Sequence, residues 1–338
     1  MQELQDRFGR RFSYLRLSVT DACNFRCSYC LPAGYQKGDK AGSDLQLSEI
    51  KNLVRAMTEL GTRKVRLTGG EPTVRRDLLE VVRSVGELRA GTAPLKIALS
   101  TNGYRLKQMA KELGQAGVSA VNVSVDSLSP EKFAQITGQD LLPEVLAGIE
   151  RAIEVGFEKV KVNAVLLKDW NNQDLTSFLD WIRDRPIVVR FIELMPTGQN
   201  QKFFQKYHLQ SSEIHQRLTA SGWVERKRGD QGSDKASDMD GPAVEFGHSD
   251  YLGKIGIIAP YSKDFCATCN RLRVTSQGGL RLCLFGEGNY SVRHLLQSED
   301  QKEELKSHIS ALLNKKEISH YLPEGRYGNN QTFSAMGG

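Results

Sequence analysis

The chain has no cysteine to spare. Its 338 residues hold six, in two triplets, Cys23/Cys27/Cys30 and Cys266/Cys269/Cys283, and neither triplet has a fourth thiol nearby. That excludes the four-thiolate set of a closed zinc site or an ordinary cubane cluster, leaving room at each triplet for a ligand that is not cysteine. A zinc completed by histidine or water stays open at this point. No run of 18 apolar residues occurs, so no helix is expected to span a membrane. The N-terminus, MQELQDRFGR, has no apolar stretch of the signal-peptide kind, so a cytoplasmic location is expected. Reducing surroundings and a chain long enough to bury a large core argue against six cysteines paired as disulfides. Positive charge exceeds negative by only 6, with 46 Lys+Arg against 40 Asp+Glu, and no consecutive basic block appears. A nucleic-acid-binding tail is therefore not expected. Repeats are absent, and the one low-complexity stretch is the polar, Gly-rich segment 229–242, which reads as a loop or linker.

What is present is a repeated alternation of strand, loop and helix from residue 11 to about 225. Strand-like runs cover 12–19, 64–69, 95–100, 120–125, 159–166 and 188–194, each short and rich in β-branched or aliphatic residues. Helical periodicity lies between them, over 47–61, 75–89, 104–117, 141–156 and 171–185, with Ser48, Glu49 and Asp174 as candidate N-terminal caps. Six such units imply parallel strands with right-handed crossovers. Polar motifs follow nearly every strand: TDACNFRC, TGGEPT, STNG, SVDSL, NAVLLKDWN and ELMPTG. An open doubly wound sheet gathers ligands mainly at one switch point, whereas a barrel brings all its strand ends to one mouth. The fold class is thus α/β, a partial TIM barrel. The expected division is a barrel at 1–228, the loop 229–242, and a C-terminal domain at 243–338 that carries the second triplet and closes the mouth. Within that domain, runs at 254–260, 271–278 and 280–285 read as strands, SQGG at 276–279 as a hairpin turn, and 299–315 as a helix.

Single arginines punctuate the apolar runs at Arg16, Arg66, Arg190, Arg271 and Arg273. Solvated strand faces would explain any one of them. Several beside cysteine motifs point instead to a small polyanion. In the first triplet, C-x3-C-x2-C directly after a strand places three thiolates within reach of one iron–sulfur cluster, with one iron free of protein ligands. Tyr29 and Phe25 between the thiols would shield it from water, although Phe25 reads equally well as a packing anchor.

This triplet, with an aromatic before its last cysteine and Gly69-Gly70-Glu71-Pro72 one strand later, resembles the radical S-adenosylmethionine superfamily. The second set, C-x2-C-x13-C with NRLR after its second cysteine, together with YLRLSVTDACNFRCSYC, KVRLTGGEPTVRRDL, NVSVDSL, KVNAVLLKDWN, FIELMPTG and a terminal Gly337-Gly338, resembles the GTP 3′,8-cyclase family over essentially the whole chain. The resemblance implies two [4Fe–4S] clusters and S-adenosylmethionine as cofactors. Cys23, Cys27 and Cys30 would hold the radical-generating cluster, and Cys266, Cys269 and Cys283 an auxiliary one whose open iron faces guanine. It also implies S-adenosylmethionine contacts at Tyr29, Gly70, Ser124 and Met195, with the GGEP glycines letting backbone approach the ligand. GTP contacts would fall at Arg16, Arg66, Ser100, Lys161, Arg271, Leu272 and Arg273. Ser100 stands where a threonine is expected, and Thr101 is the alternative contact.

The implied reaction is abstraction of H3′ from GTP by a 5′-deoxyadenosyl radical, then closure of C3′ onto C8, giving (8S)-3′,8-cyclo-7,8-dihydroguanosine 5′-triphosphate. The implied partners are an electron donor protein and cyclic pyranopterin monophosphate synthase, which would take the product in molybdenum cofactor synthesis. Monomer and homodimer both remain open. A radical enzyme modifying a peptide is the alternative, disfavoured because such enzymes commonly carry more C-terminal cysteines than three. The polar tail would fray in solvent by default; the resemblance instead sends Gly337-Gly338 into the cavity.

Overall fold

The computed structural model describes residues 3–36, 42–226, 241–263 and 265–334. The six expected strands are β1 (Tyr14–Ser18), β2 (Lys64–Thr68), β5 (Lys96–Thr101), β6 (Val118–Ser124), β7 (Lys159–Leu166) and β8 (Ile187–Glu193), with a small hairpin of β3 (Arg89–Ala90) and β4 (Ala93–Pro94). Between them run α1 (Leu47–Glu59), α2 (Leu78–Gly86), α3 (Leu106–Ala116), α4 (Pro130–Thr137), α5 (Leu142–Val155) and α6 (Leu175–Ile182). Then come α7 (Gln201–Tyr207), α8 (Ser212–Ala220), β9 (Val224–Arg226), β10 (Val244–Gly247), β11 (Lys254–Ile258), β12 (Arg271–Val274), β13 (Gly279–Arg281), β14 (Tyr290–Ser291) and α9 (Lys302–Leu313). Helices α4, α7 and α8 were not expected.

Twelve strands join one sheet in the order β14-β13-β12-β1-β2-β5-β6-β7-β8-β11-β10-β9. The eight from β12 to β11 are all parallel. The residues after 243 therefore do more than lid a finished barrel: β12 pairs with β1 and β11 pairs with β8, one on each flank. Curvature follows from chain length. In a flat sheet the seven steps from β11 to β12 would span about 34 Å at ~4.8 Å each. The link from Ala259 to Asn270 would have to be almost fully extended to cover that. Instead it is turned, with Ser262 N–H bonded to Ala259 O and Cys269 N–H to Cys266 O. The flanks must curl toward each other, and the link carries Cys266 and Cys269 across the opening.

Period-two alternation assigns the two faces of the sheet. Leu15, Leu17, Val65, Leu67, Leu99, Val121, Val123, Val160, Val162, Val189, Ile255 and Leu272 are buried against the helices in one continuous core. The opposite, concave face carries the polar residues. Helix ends differ in detail from expectation. The Glu49 carboxylate accepts the Gln46 N–H at 2.7 Å, so the capping box starts at Gln46 and not Ser48. Asp174 stands at the N-terminal cap of α6, but its carboxylate accepts from Ser127 Oγ and Lys132 Nζ, each at 2.5 Å. The SQGG turn joins β12 to β13 as expected, with Gly278 at φ +83°. The segment 229–240 and Gly337-Gly338 lie outside the described residues.

Candidate active site

The concave face of the sheet is a field of cations. Register places Arg273, Arg16, Arg66 and Ala98 in one row across β12, β1, β2 and β5. A second row runs Ser100, Asn122, Lys161, Val188, and a third Ser124, Asn163, Arg190, Gly256. Arg66, Lys161, Arg190, Arg271 and Arg273 are only 5–7% exposed, and Arg16 is half-buried. A barrel interior is ordinarily filled by branched apolar side chains. Here small residues, Ala98, Ala120 and Gly256, alternate with long cations. A Cβ on Gly256 would stand 2.8 Å from Arg190 Cγ, so glycine there makes room for that arginine.

Crowding like charges in a buried place is costly. Burial, then the neighbouring Arg271, brings Arg273 down to about 10, and burial, then Arg273, lowers Arg16 well below its ordinary value. The buried Nε atoms of Arg271 and Arg273 and Oδ1 of Asn122 and Asn163 have no hydrogen-bond partner among the described residues. Such a face suits a polyanion that brings its own acceptors and donors. Ser100 lies on it, with Oγ accepting from Arg66 Nη1 at 3.2 Å. Thr101 lies on the other face, its hydroxyl bonded to Glu71 at 2.7 Å. Leu272 also alternates away and is fully buried in the core, so its side chain does not reach the site.

The first triplet sits in the loop after β1. That loop is tied to α4 by Arg26 N–H to Thr137 O (3.1 Å) and Ser28 N–H to Ile136 O (2.9 Å). On its other side Gly70 N–H bonds Thr20 O at 2.8 Å and Glu71 N–H bonds Ala22 O at 2.7 Å. A Cβ on Gly70 would be 2.3 Å from Ala22 O. On its Cβ side the glycine pair packs against the backbone of the cysteine loop. Glu71, 1% exposed, accepts from Thr73, Thr101 and the Asn102 N–H, which locks the GGEP turn against β5. Phe25 is a packing anchor, edge-on to Phe133 at 6.2 Å. Tyr29 packs beside Ile136, Leu167 and Leu194 and donates to Asp126 Oδ2 at 2.9 Å. Ser124 ends β6 exposed, and Met195, just past β8, accepts Asn200 Nδ2 through its carbonyl at 3.1 Å.

All six cysteines are free thiols, so no disulfide forms. Each triplet is a group: Cys27 senses the charges of Cys30 and Cys23, and Cys266 those of Cys283 and Cys269. The two groups differ in electrostatics. Burial pushes Cys23 up to about 11 and Cys30 up to about 12. At the second triplet burial also raises Cys269, but Lys316, Arg271 and Arg273 outweigh it and bring the thiol down to about 6. Among the described residues the three thiols of each triplet do not converge closely enough to form a ready-made ion site, but with no fourth cysteine each set suits a cluster with one open iron.

Two family models divide the chain. The Radical SAM superfamily matches residues 17–182 and Molybdenum Cofactor Synthesis C matches 187–322. The GTP 3′,8-cyclase of Yersinia pestis is 50% identical over 338 residues, covering 100% of both chains. The chain belongs to the GTP 3′,8-cyclase family. The Vibrio vulnificus (strain CMCP6) cyclase is likewise 50% identical, over 100% of this chain and 98% of its own. Among solved structures, SuiB of Streptococcus suis bound to S-adenosylmethionine aligns with a TM-score of 0.58 at 12% identity, covering 88% of this chain and 68% of that one. That likeness supports the partial-barrel fold.

Strand register puts further residues on the cation face that no sequence motif announces. In the sequence Arg190 reads only as an isolated arginine. Tyr14, Asn122 and Asn163 share the cation face because each is two residues from a residue expected there, a signal the alternation carries. Lys316, beyond α9, reaches the second triplet from far along the chain, and no local pattern could announce it.

Proposed function

We propose that this chain closes the C3′–C8 bond of GTP, with its triphosphate on the cation face and a [4Fe–4S] cluster at each triplet. The row Arg273–Arg16–Arg66, running directly from the strand that follows Cys269, carries this reading. Cys23, Cys27 and Cys30 would hold the cluster that supplies one-electron cleavage of S-adenosylmethionine, and Cys266, Cys269 and Cys283 the one that supplies an open iron for the base. Arg271, Arg273, Arg16, Arg66 and Lys161 neutralise close to four negative charges, arginine in bidentate fashion. Ser100, Asn122 and Asn163 offer hydrogen bonds to the neutral part of the nucleotide. Tyr29, Gly70, Ser124 and Met195 surround the place for S-adenosylmethionine. Held at both ends on a rigid sheet, the ribose has little freedom except to bring C3′ against C8, and such positioning is a protein's main contribution here.

In this reading residues 1–228 form the radical-generating unit, 229–242 a linker, and 243–338 the unit of the second cluster. An electron donor protein would reduce the first cluster, and cyclic pyranopterin monophosphate synthase would receive the product. Among the described residues no helix is long and apolar enough to cross a membrane.

Anaerobic reconstitution with iron and sulfide should load about eight irons, four per triplet. The variant with Cys266, Cys269 and Cys283 all replaced by Ala should retain about four irons and still cleave S-adenosylmethionine. With GTP, S-adenosylmethionine and dithionite, the intact enzyme should yield 5′-deoxyadenosine and cyclised nucleotide together. Tightly bound zinc at the second triplet, or 5′-deoxyadenosine without any cyclised product, would overturn the assignment.

A further inference from the structure

Tyr14 stands at the floor of the cation field. It lies two residues before Arg16 on β1, with Arg271 of β12 opposite it on one side and Lys64 of β2 on the other. It is 3% exposed. Its hydroxyl is hydrogen-bonded to Arg66 Nε, and Arg66 continues through Nη1 to Ser100 Oγ. Lys64 Nζ lies 5.2 Å and Arg66 Cζ 5.8 Å from the ring centroid. The charged groups that act on it most strongly are positive, Arg66 and Lys64 on β2 and Arg16 on its own strand, with Arg271 and Arg273 beside them on β12. A phenol is the weakest of the side-chain acids that ionise to an anion, and its oxygen is fixed on an arginine assigned to GTP.

We propose that Tyr14 is a positioning residue that also serves as an exchangeable counter-charge: in the GTP-free site its ionised form holds Arg66 and balances the cations, and it takes up a proton when a triphosphate displaces it from that task. This rests on the reading of the cation face as the GTP site. Burial alone would push the phenol up, but Arg66, Arg16 and Lys64 outweigh it and bring it down to about 7. Close to four nucleotide charges arriving on the same cations cancel that attraction and return the phenol toward its ordinary value near 10. The proton comes from solvent onto the phenolate oxygen, and no other bond changes. Because binding then takes up a proton, GTP affinity must fall as pH rises above about 7.

Calorimetry of the reconstituted enzyme with GTP, without S-adenosylmethionine so that nothing turns over, reads this directly. At pH 8, titrations in HEPES and in Tris should differ by the heat of more than about half a proton taken up per GTP. Tyr14→Phe should abolish that uptake while keeping full iron content. From pH 7 to 8.5 the wild-type affinity should weaken roughly tenfold while that of Tyr14→Phe stays nearly flat. The variant should then bind at least as tightly as wild type at the upper end. A tyrosine that merely braces Arg66 predicts weaker binding by the variant at every pH. That result, or no proton uptake by the wild type, overturns the proposal. Failure of wild type to bind GTP at all would instead overturn the site assignment beneath it.

Discussion

A methyl group at Gly70 would stand 2.3 Å from the Ala22 carbonyl oxygen and 2.5 Å from that of Asp21. Both are backbone atoms of the loop that presents Cys23 and Cys27, so neither can swing aside as a side chain would. Its neighbour Gly69, at φ +152°, meets Thr20 O just as closely. The GGEP turn thus acts on the first triplet from behind, through packing. Gly70→Ala is accordingly expected to cut iron loading to about half, four of eight, by displacing the first cysteine loop while leaving the second triplet filled. Gly156→Ala is the control, because nothing lies within 4 Å of its Cβ position and only its φ of +85° is strained. That change should cost about 1 kcal/mol and leave the iron count unchanged. Iron and sulfide assays on both variants decide it: full loading of Gly70→Ala would mean that the loop tolerates a shift the geometry says it cannot.

At the scale of elements, the segment before the terminal glycines is no loose end. Asn330 O accepts the Gly198 N–H at 2.7 Å and Gln331 O the Gln199 N–H at 3.2 Å, which ties the tail to the turn after β8. The Asn330 side chain accepts from Arg281 Nη1 and donates to Leu284 O on either side of Cys283. Asn330→Ala leaves the Leu284 carbonyl without that donor, at about 1–3 kcal/mol, enough to lower the melting temperature by several degrees. Hydrogen exchange over 327–334 should rise more than exchange in β5 or β6, and unchanged protection there would show that the tail is held by other contacts. None of this was legible in the polar tail, because its partners lie 46 to 132 residues away. What was legible followed local rules. The strands of the barrel announced themselves by alternation, and the long helices by their apolar period. Helix α7 buries no residue, and α4 buries only Phe133 and Ile136 as apolar anchors, so neither had a pattern strong enough to read. The cysteines, the GGEP turn and the arginines were visible as motifs. Tyr14 was not, because a tyrosine in a strand is ordinary until the register shows which cations surround it.

For the molecule as a whole, the decisive feature is that one sheet is sewn from both ends of the chain. Without residues beyond Arg226, the barrel strands would expose β1 on one flank and β8 on the other, two parallel edges with unpaired backbone groups. The lost strands also bury Ile255, Ile257, Leu272 and Val274, each at most 5% exposed. At ~1.5–3 kcal/mol for each side chain, their removal forfeits about 6–12 kcal/mol. A typical domain has only ~5–15 kcal/mol of net stability to lose. The β11–β12 link, which holds the curvature and carries Cys266 and Cys269, would go as well. A truncated chain ending at Arg226 should therefore fail to form a native barrel even though it contains all three cysteines of the first triplet. The same logic makes the intact chain unfold in one step, since neither flank can open without uncovering the core shared with the other. Guanidinium titration followed by tryptophan fluorescence and by far-UV circular dichroism checks this. The three tryptophans, Trp170, Trp181 and Trp223, all lie before β10, whereas dichroism reports every element. Coincident transitions are expected, and a soluble, cooperatively folding fragment of residues 1–226 would show instead that the barrel is a unit to which the second half is merely attached.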